Sequence, residues 1–325
     1  MRARIAGTGS YAPERVLTNA DLERMVATTS DAWIVERTGI RERRIAAPGE
    51  ACSDLGTKAA ERALEAAGVE AVDLDLILVA TCTGDSPLPS TACVIQQRLQ
   101  AKRAAACDLG AACCGFVYAL AVGDAYIKTG FRHVLVVGAE VMSIITDWTD
   151  RNTCVLFGDG AGAVVLSAVE GDQGILSSHL HSDGALWNLI YVPGCGSRIP
   201  PGEKMLAEGL QFMKMKGNET FKVAVKTLEE SAREALSANH LSVDDLDLYV
   251  PHQANLRIIS AVADRLGLPM EKVVLNMDRY GNTSAASIPL ALDEAVKAGR
   301  VDAGSLVMVA AFGSGLTWAS SLIRW

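Results

Sequence analysis

Nearly continuous apolar runs alternate with stretches of helical periodicity along most of this sequence. Strands are predicted from the apolar runs at 74–81, 104–107, 133–138 and 163–169, and the first three are apolar enough to be buried. Helices are predicted at 54–67, 91–99 and 116–128, with a shorter one from Asn19 to Ala27 that takes Asn19 as its N-cap. This alternation predicts an α/β fold whose sheets are covered by helices.

The second half of the sequence repeats the first at an offset of 172 residues, which places Asp73 on Asp245. Residues 60–76 (AERALEAAGVEAVDLDL) match 232–248 (AREALSANHLSVDDLDL). At the same offset, the strand sequence VLVVGA starting at Val134 matches LVMVAA starting at Leu306. Two separated matches in one register indicate a duplicated α/β unit.

The duplication predicts two halves, 1–172 and 173–325, that are joined near residues 170–175. The least regular stretch, 183–215, contains three prolines and several glycines. We expect it to be an inserted, mobile segment on the surface.

Composition and charge narrow the class of protein. The 325 residues are 50% hydrophobic and 21% charged, which is typical of a globular chain with a large core. No apolar run is long enough to span a bilayer, and the first residues lack the apolar core of a signal peptide, so a cytoplasmic location is predicted. A formal net charge of −8 argues against bulk nucleic-acid binding. An acidic partner could dock only on a local basic patch.

The eight cysteines show neither a C-x-x-C pair nor a regular framework, so free thiols are expected. His179 and His181 lie two residues apart, but no third ligand is evident, and no metal site is predicted.

The segment from Gly7 to Ala12 matches the dinucleotide pattern G-x-G-x-x-A, which raises a nicotinamide-dependent dehydrogenase as an alternative. Because Pro13 follows at once and no helix is predicted there, we interpret the match as accidental.

The segment 29–44 combines one large aromatic residue, Trp33, with Arg37 and an arginine cluster at 41–44. The segment is either a solvent-exposed charged surface or the entrance to a binding site. In the second case Trp33 would stack on an aromatic ring of the ligand, and the arginines would pair with its phosphates.

Cys113 is a candidate nucleophile because of its place between two predicted elements. A short strand, a turn of small residues and the apolar helix at 116–128 place it where a strand ends and a helix begins. Backbone N–H groups and the positive end of the helix dipole then point at the sulfur and favour the nucleophilic thiolate. The alternative is that Cys113 and Cys114 are buried small hydrophobic residues.

Polar residues at the ends of later elements are candidate partners of this thiol. His252 follows an apolar strand, at the edge where open α/β sheets gather ligands, although a structural histidine is common there. Asn282 precedes a helix of small residues, and its simplest role is that of a turn and cap residue. The glycine-rich stretch 312–315 lies between two predicted strands, where backbone amides can approach a substrate closely.

Four segments carry a resemblance that covers the chain from Ile5 to Trp325: AACCGF, PHQANLR, NMDRYGNTS and AFGSGLTW. Together they resemble β-ketoacyl-[acyl-carrier-protein] synthase III, the condensing enzyme that starts type II fatty acid synthesis. The resemblance implies a thiolase-like fold of duplicated α/β halves, with two central mixed sheets in a layered α-β-α-β-α arrangement. It also implies a homodimer in which Leu88 reaches across to the partner.

The resemblance assigns roles to individual residues. The family's catalytic triad falls on Cys113, His252 and Asn282, and its oxyanion contacts fall on the backbone amides of Cys113 and Ser314. Its coenzyme A site falls on Thr29, Trp33, Arg37, Arg151, Phe221 and Asn255. The acyl pocket would include Leu88 and Phe312, and the basic surface for the carrier protein would include Lys222, Arg257 and Arg265.

The implied reaction is a two-stage acyl transfer. Cys113 takes an acyl group from acyl-CoA, and malonyl-[acyl-carrier protein] then loses CO₂ and attacks the acyl-cysteine. The resemblance implies no metal or redox cofactor, and coenzyme A enters only as the carrier of a substrate. Ser314 and Leu88 depart from the glycine and the phenylalanine common in the family, which leaves the primer open. The remaining alternative is a condensing enzyme of secondary metabolism with another acyl donor or acceptor.

Overall fold

The computed structural model describes residues 1–26 and 28–325. Within them the strands are β1 (Arg2–Tyr11), β2 (Arg15–Thr18), β3 (Glu42–Ile45), β4 (Leu76–Ala80), β5 (Ala105–Leu109), β6 (His133–Val141), β7 (Asp159–Val169), β8 (Gly174–Ser182), β9 (Ile190–Tyr191), β10 (Lys214–Met215), β11 (Leu248–Pro251), β12 (Leu306–Gly313) and β13 (Thr317–Arg324). The α-helices are α1 (Asn19–Met25), α2 (Asp31–Thr38), α3 (Cys52–Ala67), α4 (Thr91–Leu99), α5 (Gly115–Lys128), α6 (Glu203–Ala207), α7 (Gly217–Ala238), α8 (Leu256–Leu266), α9 (Met277–Tyr280) and α10 (Ser287–Lys297).

Two mixed sheets form the centre of the molecule. The first has the order β1-β7-β6-β4-β5, with β4 parallel to its neighbours β5 and β6 and with β7 antiparallel to β1 and β6. The second has the order β11-β12-β13-β8, with β11 parallel to β12 and the other pairs antiparallel. The predicted α/β class with two mixed sheets is confirmed.

Helices form three layers around these sheets. α3 and α4 cover the outer face of the first sheet, while α7 packs on the second and contacts α8. α5 and α10 lie between the two sheets and contact strands of both. Phe116 and Leu120 of α5 are fully buried in this middle layer. The layered α-β-α-β-α arrangement is therefore confirmed.

The duplication extends to the backbone detail. At the offset of 172 residues, β1 falls on β8 and the 3₁₀ turn Ala71–Asp73 falls on Val243–Asp245. The 3₁₀ turn Ala112–Cys114, which contains the candidate nucleophile, falls on Ser284–Ala286. These matches support the predicted halves 1–172 and 173–325, whose junction lies between the end of β7 and the start of β8; the boundary itself stays a prediction.

Strand β5 corrects one expectation. The run at 104–107 was predicted to be a buried strand, whereas β5 is the last strand of its sheet and Ala105, Cys107 and Asp108 are exposed. The run is apolar, but its position at the edge of the sheet leaves it partly uncovered within the described residues.

Helix α1 begins at Asn19, but its N-cap is Thr18, so the predicted cap residue is wrong by one position. The Thr18 hydroxyl accepts a hydrogen bond from the Asp21 backbone, and the Asp21 carboxylate accepts one from the Thr18 backbone. The Asn19 side chain instead points inward and donates to the Ile40 carbonyl at 2.8 Å. The helix ends at Met25, and the predicted end at Ala27 lies outside the described residues.

Candidate active site

A cavity of about 520 Å³ is lined by Cys113, His252 and Asn282. These side chains come from three separate loops that follow β5, follow β11 and precede α10. The remaining lining is mostly apolar and includes Met142, Leu156, Phe157, Met213, Phe221 and Phe312. The fold therefore brings the three predicted residues together in one apolar chamber.

Cys113 lies in a constrained turn. The preceding residue, Ala112, has φ of 45°, a left-handed conformation that alanine rarely adopts. A Cβ added to Gly313 would lie 2.9 Å from the Cys113 backbone nitrogen, so only glycine allows β12 to approach the turn this closely. The turn thus holds the half-buried thiol at the start of α5, in the cavity wall.

The electrostatics of Cys113 differ from the sequence expectation. Burial raises the pKa of its thiol to about 11, and the Ser284 hydroxyl only partly opposes this. The negative charge of Glu140 raises the pKa further. Because desolvation penalises the thiolate, the expected lowering by the helix terminus does not dominate here.

His252 is fixed by backbone and side-chain contacts. Its N–H donates to the Ala310 carbonyl of β12 at 2.8 Å, and its Nδ1 lies 2.6 Å from the Ser287 hydroxyl. Burial lowers the pKa of the imidazole to about 4, so it is neutral at pH 7. A neutral imidazole lining the cavity can offer one hydrogen-bond donor to a substrate.

Asn282 is held by its backbone and by its own side chain. Its N–H donates to the Leu156 carbonyl at 2.8 Å, and its carbonyl accepts from Gly158 at 3.1 Å. Its Oδ1 accepts the Ser284 N–H at 2.9 Å, which leaves the carboxamide NH₂ group as the part that can donate into the cavity.

A buried carboxylate behind this loop was missed by sequence reasoning. Glu140 is 0% exposed and accepts hydrogen bonds from the Thr83 hydroxyl, the Cys82 amide and, at 2.9 Å, the Ser284 hydroxyl. Burial raises the pKa of this carboxyl group. An acidic residue inside the apolar strand sequence VLVVGAEV was the available signal, because such a residue is buried only when it is well hydrogen-bonded.

The second predicted oxyanion contact, Ser314, lies beside the cavity on the loop after β12. Its hydroxyl donates to the Ile190 carbonyl, so the serine that departs from the family pattern links this loop to β9. Segment 183–215 was predicted to lie on the surface, and about half of its residues are exposed. It also supplies eight residues to the cavity wall: Ile190, Tyr191, Val192, Gly194, Cys195, Gln211, Met213 and Met215. Most of the side chains of this segment that line the cavity, such as Ile190 and Met213, are partly or fully buried, whereas Trp187 and Leu206 are exposed.

The predicted coenzyme A residues form two groups. The Arg151 guanidinium lies 3.7 Å from the centre of the Trp33 ring, and Arg37 lies 4.9 Å from it. Within the described residues, Thr29 Oγ1 and Arg151 Nε are buried without a hydrogen-bond partner. The second group, Phe221 and Asn255, lines the cavity.

Asn255 connects the two groups, because its side chain donates to the Arg37 carbonyl at 3.0 Å.

Of the two predicted acyl-pocket residues, Phe312 lines the cavity, whereas Leu88 is 87% exposed and lies outside it. The predicted basic residues Lys222, Arg257 and Arg265 are all exposed, and Arg265 pairs with Glu229 at 3.2 Å.

The glycine motif at 7–12 has a packing role. A Cβ on Gly7 would lie 2.3 Å from the Ala67 nitrogen, and one on Gly9 would lie 2.4 Å from the Ala59 oxygen. These glycines allow α3 to pack directly on β1, which gives a structural reason for the motif and supports its interpretation as accidental.

Within residues 1–26 and 28–325, no group of three or more His, Cys, Asp or Glu side chains could hold a metal ion. His181 and His179 contact Glu234 at 2.6 and 3.3 Å. No α-helix in the same part of the chain is both long and apolar enough to cross a membrane.

Comparisons with known proteins agree with this arrangement. Residues 107–184 match the family model described as 3-oxoacyl-[acyl-carrier-protein] synthase III, and residues 236–325 match the model of its C-terminal region. A β-ketoacyl-[acyl-carrier-protein] synthase III of Caldanaerobacter subterraneus is 52% identical over 99% of this chain and 98% of its own length. One from Alkalilimnicola ehrlichii is 56% identical over 99% of each chain.

Solved structures show the same relationship. The 3-oxoacyl-[acyl-carrier-protein] synthase III of Aquifex aeolicus superposes with a TM-score of 0.93 at 48% identity, covering 99% of this chain and 100% of that one. The priming β-ketosynthase of the R1128 polyketide pathway superposes with a TM-score of 0.92 at 38% identity, covering 99% and 96%. From the sequence motifs, the fold and these relatives, the chain belongs to the β-ketoacyl-[acyl-carrier-protein] synthase III family.

Proposed function

We propose that this protein condenses an acyl-CoA primer with malonyl-[acyl-carrier protein], giving the β-ketoacyl-[acyl-carrier protein] that starts type II fatty acid synthesis. The observation that carries the proposal is the apolar cavity that Cys113, His252 and Asn282 line together. A thiol, a neutral imidazole and a carboxamide supply one nucleophile and two hydrogen-bond donors, which is what an acyl transfer followed by a decarboxylation requires.

In the first stage, the Cys113 sulfur attacks the thioester carbonyl of acyl-CoA. The backbone amides of Cys113 and Ser314 stabilise the resulting oxyanion, and one such donor lowers a barrier by about 3 kcal/mol. The carbon–sulfur bond to coenzyme A then breaks, the acyl group stays on Cys113, and the thiol proton balances the departing thiolate. The close approach of Gly313 to the Cys113 nitrogen supports a role for this loop in the oxyanion site.

In the second stage, the bond between the carboxylate and the α-carbon of the malonyl group breaks and CO₂ leaves. The bonding electrons pass into the thioester enolate, whose oxygen accepts hydrogen bonds from His252 and Asn282. The α-carbon attacks acyl-Cys113, and the Cys113 thiolate leaves and is reprotonated from solvent. The fixed Asn282 oxygen, which leaves its NH₂ group available, supports this role.

Coenzyme A is proposed to bind along Thr29, Trp33, Arg37, Arg151, Phe221 and Asn255. The stacked Trp33 and Arg151 side chains offer an aromatic face and positive charge to a nucleotide, and Phe221 and Asn255 continue into the cavity.

The exposed Lys222, Arg257 and Arg265 are proposed to receive the acidic carrier protein, with Arg265 the weakest of the three because Glu229 already pairs with it. Use of coenzyme A thioesters fits the predicted cytoplasmic location.

We also propose a homodimer in which Leu88 closes the acyl pocket of the partner. The exposed edge of β5 is a place where a second copy can add to the first sheet, and an 87% exposed leucine lies in the same half of the chain. Light scattering tests the assembly, and a monomer that is fully active would contradict it. Leu88→Phe should shorten the accepted primers in a dimer, whereas Leu88→Ala should lengthen them.

The proposed function is tested with a panel of acyl-CoAs of differing length and branching and with malonyl-[acyl-carrier protein]. Mass spectrometry should detect a β-ketoacyl-[acyl-carrier protein] for at least one primer, and none with Cys113→Ala. Acylation of Cys113 without any condensation product would instead favour the secondary-metabolism alternative, with a different acceptor.

A further inference from the structure

Ser287 forms a buried contact with the imidazole of His252. It is the first residue of α10, is 1% exposed, and its hydroxyl oxygen lies 2.6 Å from His252 Nδ1. The backbone N–H of Gln253 donates to the same oxygen at 3.3 Å. Among the residues that the structure describes, these are the two hydrogen-bond partners of the Ser287 hydroxyl.

The direction of the shorter bond follows from counting protons. A backbone amide can only donate, so Gln253 uses a lone pair of the Ser287 oxygen. If Nδ1 also carried a proton, both neighbours would donate and the hydroxyl hydrogen would remain buried without an acceptor. Buried polar hydrogens are rarely left without a hydrogen-bond acceptor. The arrangement is satisfied only when the Ser287 hydroxyl donates to an unprotonated Nδ1.

We propose that Ser287 is a positioning residue that keeps the single proton of His252 on Nε2, the ring nitrogen left for the cavity. The inference rests on the proposed function, in which His252 donates a hydrogen bond to the malonyl enolate. Because burial keeps the imidazole neutral, it has one N–H, and the tautomer decides which nitrogen donates. Ser287 thus determines whether the cavity receives a donor or a lone pair.

The consequence is specific to one half-reaction. With Nε2 protonated, the imidazole stabilises the developing enolate oxygen; with Nδ1 protonated, it presents a lone pair that repels the same charge. Transfer of the acyl group to Cys113 uses the backbone amides of Cys113 and Ser314 and does not need this donor. Loss of Ser287 should therefore slow decarboxylation much more than acylation.

The tautomer is measured directly by ¹⁵N NMR of the full-length protein labelled at its five histidines. A spectrum of His252→Asn identifies the His252 signals. The wild-type protein should show a protonated Nε2 and an unprotonated Nδ1 near pH 7. A protonated Nδ1 would overturn the proposal without any variant of Ser287.

Variants then connect the tautomer to the reaction. Ser287→Ala should move the proton partly or fully to Nδ1 and slow malonyl decarboxylation at least roughly tenfold, whereas Ser287→Thr, which keeps the hydroxyl, should restore both. The matched control is Ser231→Ala, because Ser231 is a buried serine that hydrogen-bonds Ser320 at 2.8 Å and lies outside the cavity lining. It should leave the tautomer and the ratio of the two half-reaction rates unchanged.

The outcomes separate this inference from the proposed function. An unchanged tautomer in folded Ser287→Ala would overturn the role of Ser287. A shifted tautomer with unchanged decarboxylation would confirm the control by Ser287 and overturn the role of His252 as a donor. Failure of the wild-type protein to decarboxylate malonyl-[acyl-carrier protein] would count against the proposed function alone, since the tautomer measurement needs no substrate.

Discussion

The backbone amide of Ser284 donates a 2.9 Å hydrogen bond to the side-chain oxygen of Asn282. Ser284 has φ of 49°, a conformation that its surroundings must hold in place, and its hydroxyl donates to buried Glu140 at 2.9 Å. The orientation of the Asn282 carboxamide therefore depends on a carboxylate that has no direct contact with it among the described hydrogen bonds.

The first prediction concerns Glu140. Glu140→Gln replaces one acceptor oxygen with an NH₂ group, so the Ser284 turn loses part of its support. Decarboxylation should fall roughly tenfold, with a smaller effect on acylation, because the misplaced group is the Asn282 donor. Rates of both half-reactions, measured separately, check this. Asp159→Asn is the matched control, since Asp159 is also 0% exposed, accepts only from neutral groups and lies outside the cavity lining. Parallel losses in both variants would indicate a general effect on stability.

The second prediction concerns the nucleophile. Cys113→Ala should abolish labelling of the protein by radioactive acyl-CoA, because no other group in the cavity is proposed to form the thioester. Cys114→Ala should retain labelling, since that thiol is fully buried and donates to the Thr317 carbonyl at 3.2 Å. Labelling that persists in Cys113→Ala would rule out the assignment.

The third prediction divides the two half-reactions. His252→Ala and Asn282→Ala should each lower malonyl decarboxylation by about 100-fold, the usual effect of removing an oriented donor to an oxyanion. Acylation of Cys113 should change far less. Stopped-flow acylation and CO₂ release measure the two steps, and equal losses in both would argue against this division of labour.

The fourth prediction uses pH. The thiol pKa of Cys113 is raised to about 11 by burial, so the thiolate fraction in the free protein should rise about tenfold per pH unit below that value. Alkylation of Cys113 by iodoacetamide, followed by peptide mass spectrometry, should therefore accelerate steadily from pH 7 to 10. A plateau near pH 7 would show that the helix terminus outweighs burial.

The fifth prediction tests the packing role of the glycine motif. Gly9→Ala places a Cβ 2.4 Å from the Ala63 nitrogen and the Ala59 oxygen, both backbone atoms that cannot rotate away. Unfolding in urea should show a loss of about 3 kcal/mol. Gly184→Ala is the control, because its added Cβ meets nothing within 4 Å and should change stability little. If Gly9→Ala were neutral, the close contact of α3 with β1 would not be needed.

The sequence alone determined much of this protein. Hydrophobic periodicity located α4 to the residue, and the matches at an offset of 172 residues predicted a duplication that the two sheets repeat. Motifs and resemblance singled out Cys113, His252 and Asn282, because the chemistry of a site is set by residue type and local spacing. Such information is local and can be obtained from the sequence without knowing how the chain packs.

Only the tertiary structure decided how that chemistry is held and tuned. Nothing local indicates that Ser287 faces His252, 35 residues away, or that Glu140 supports Ser284 across 144 residues. The shift of the Cys113 pKa also came from packing, because desolvation depends on every element that surrounds the sulfur. The packing of part of 183–215 against the cavity and the exposure of β5 follow the same rule: a sequence shows which segments are apolar, and the fold decides which of them are covered.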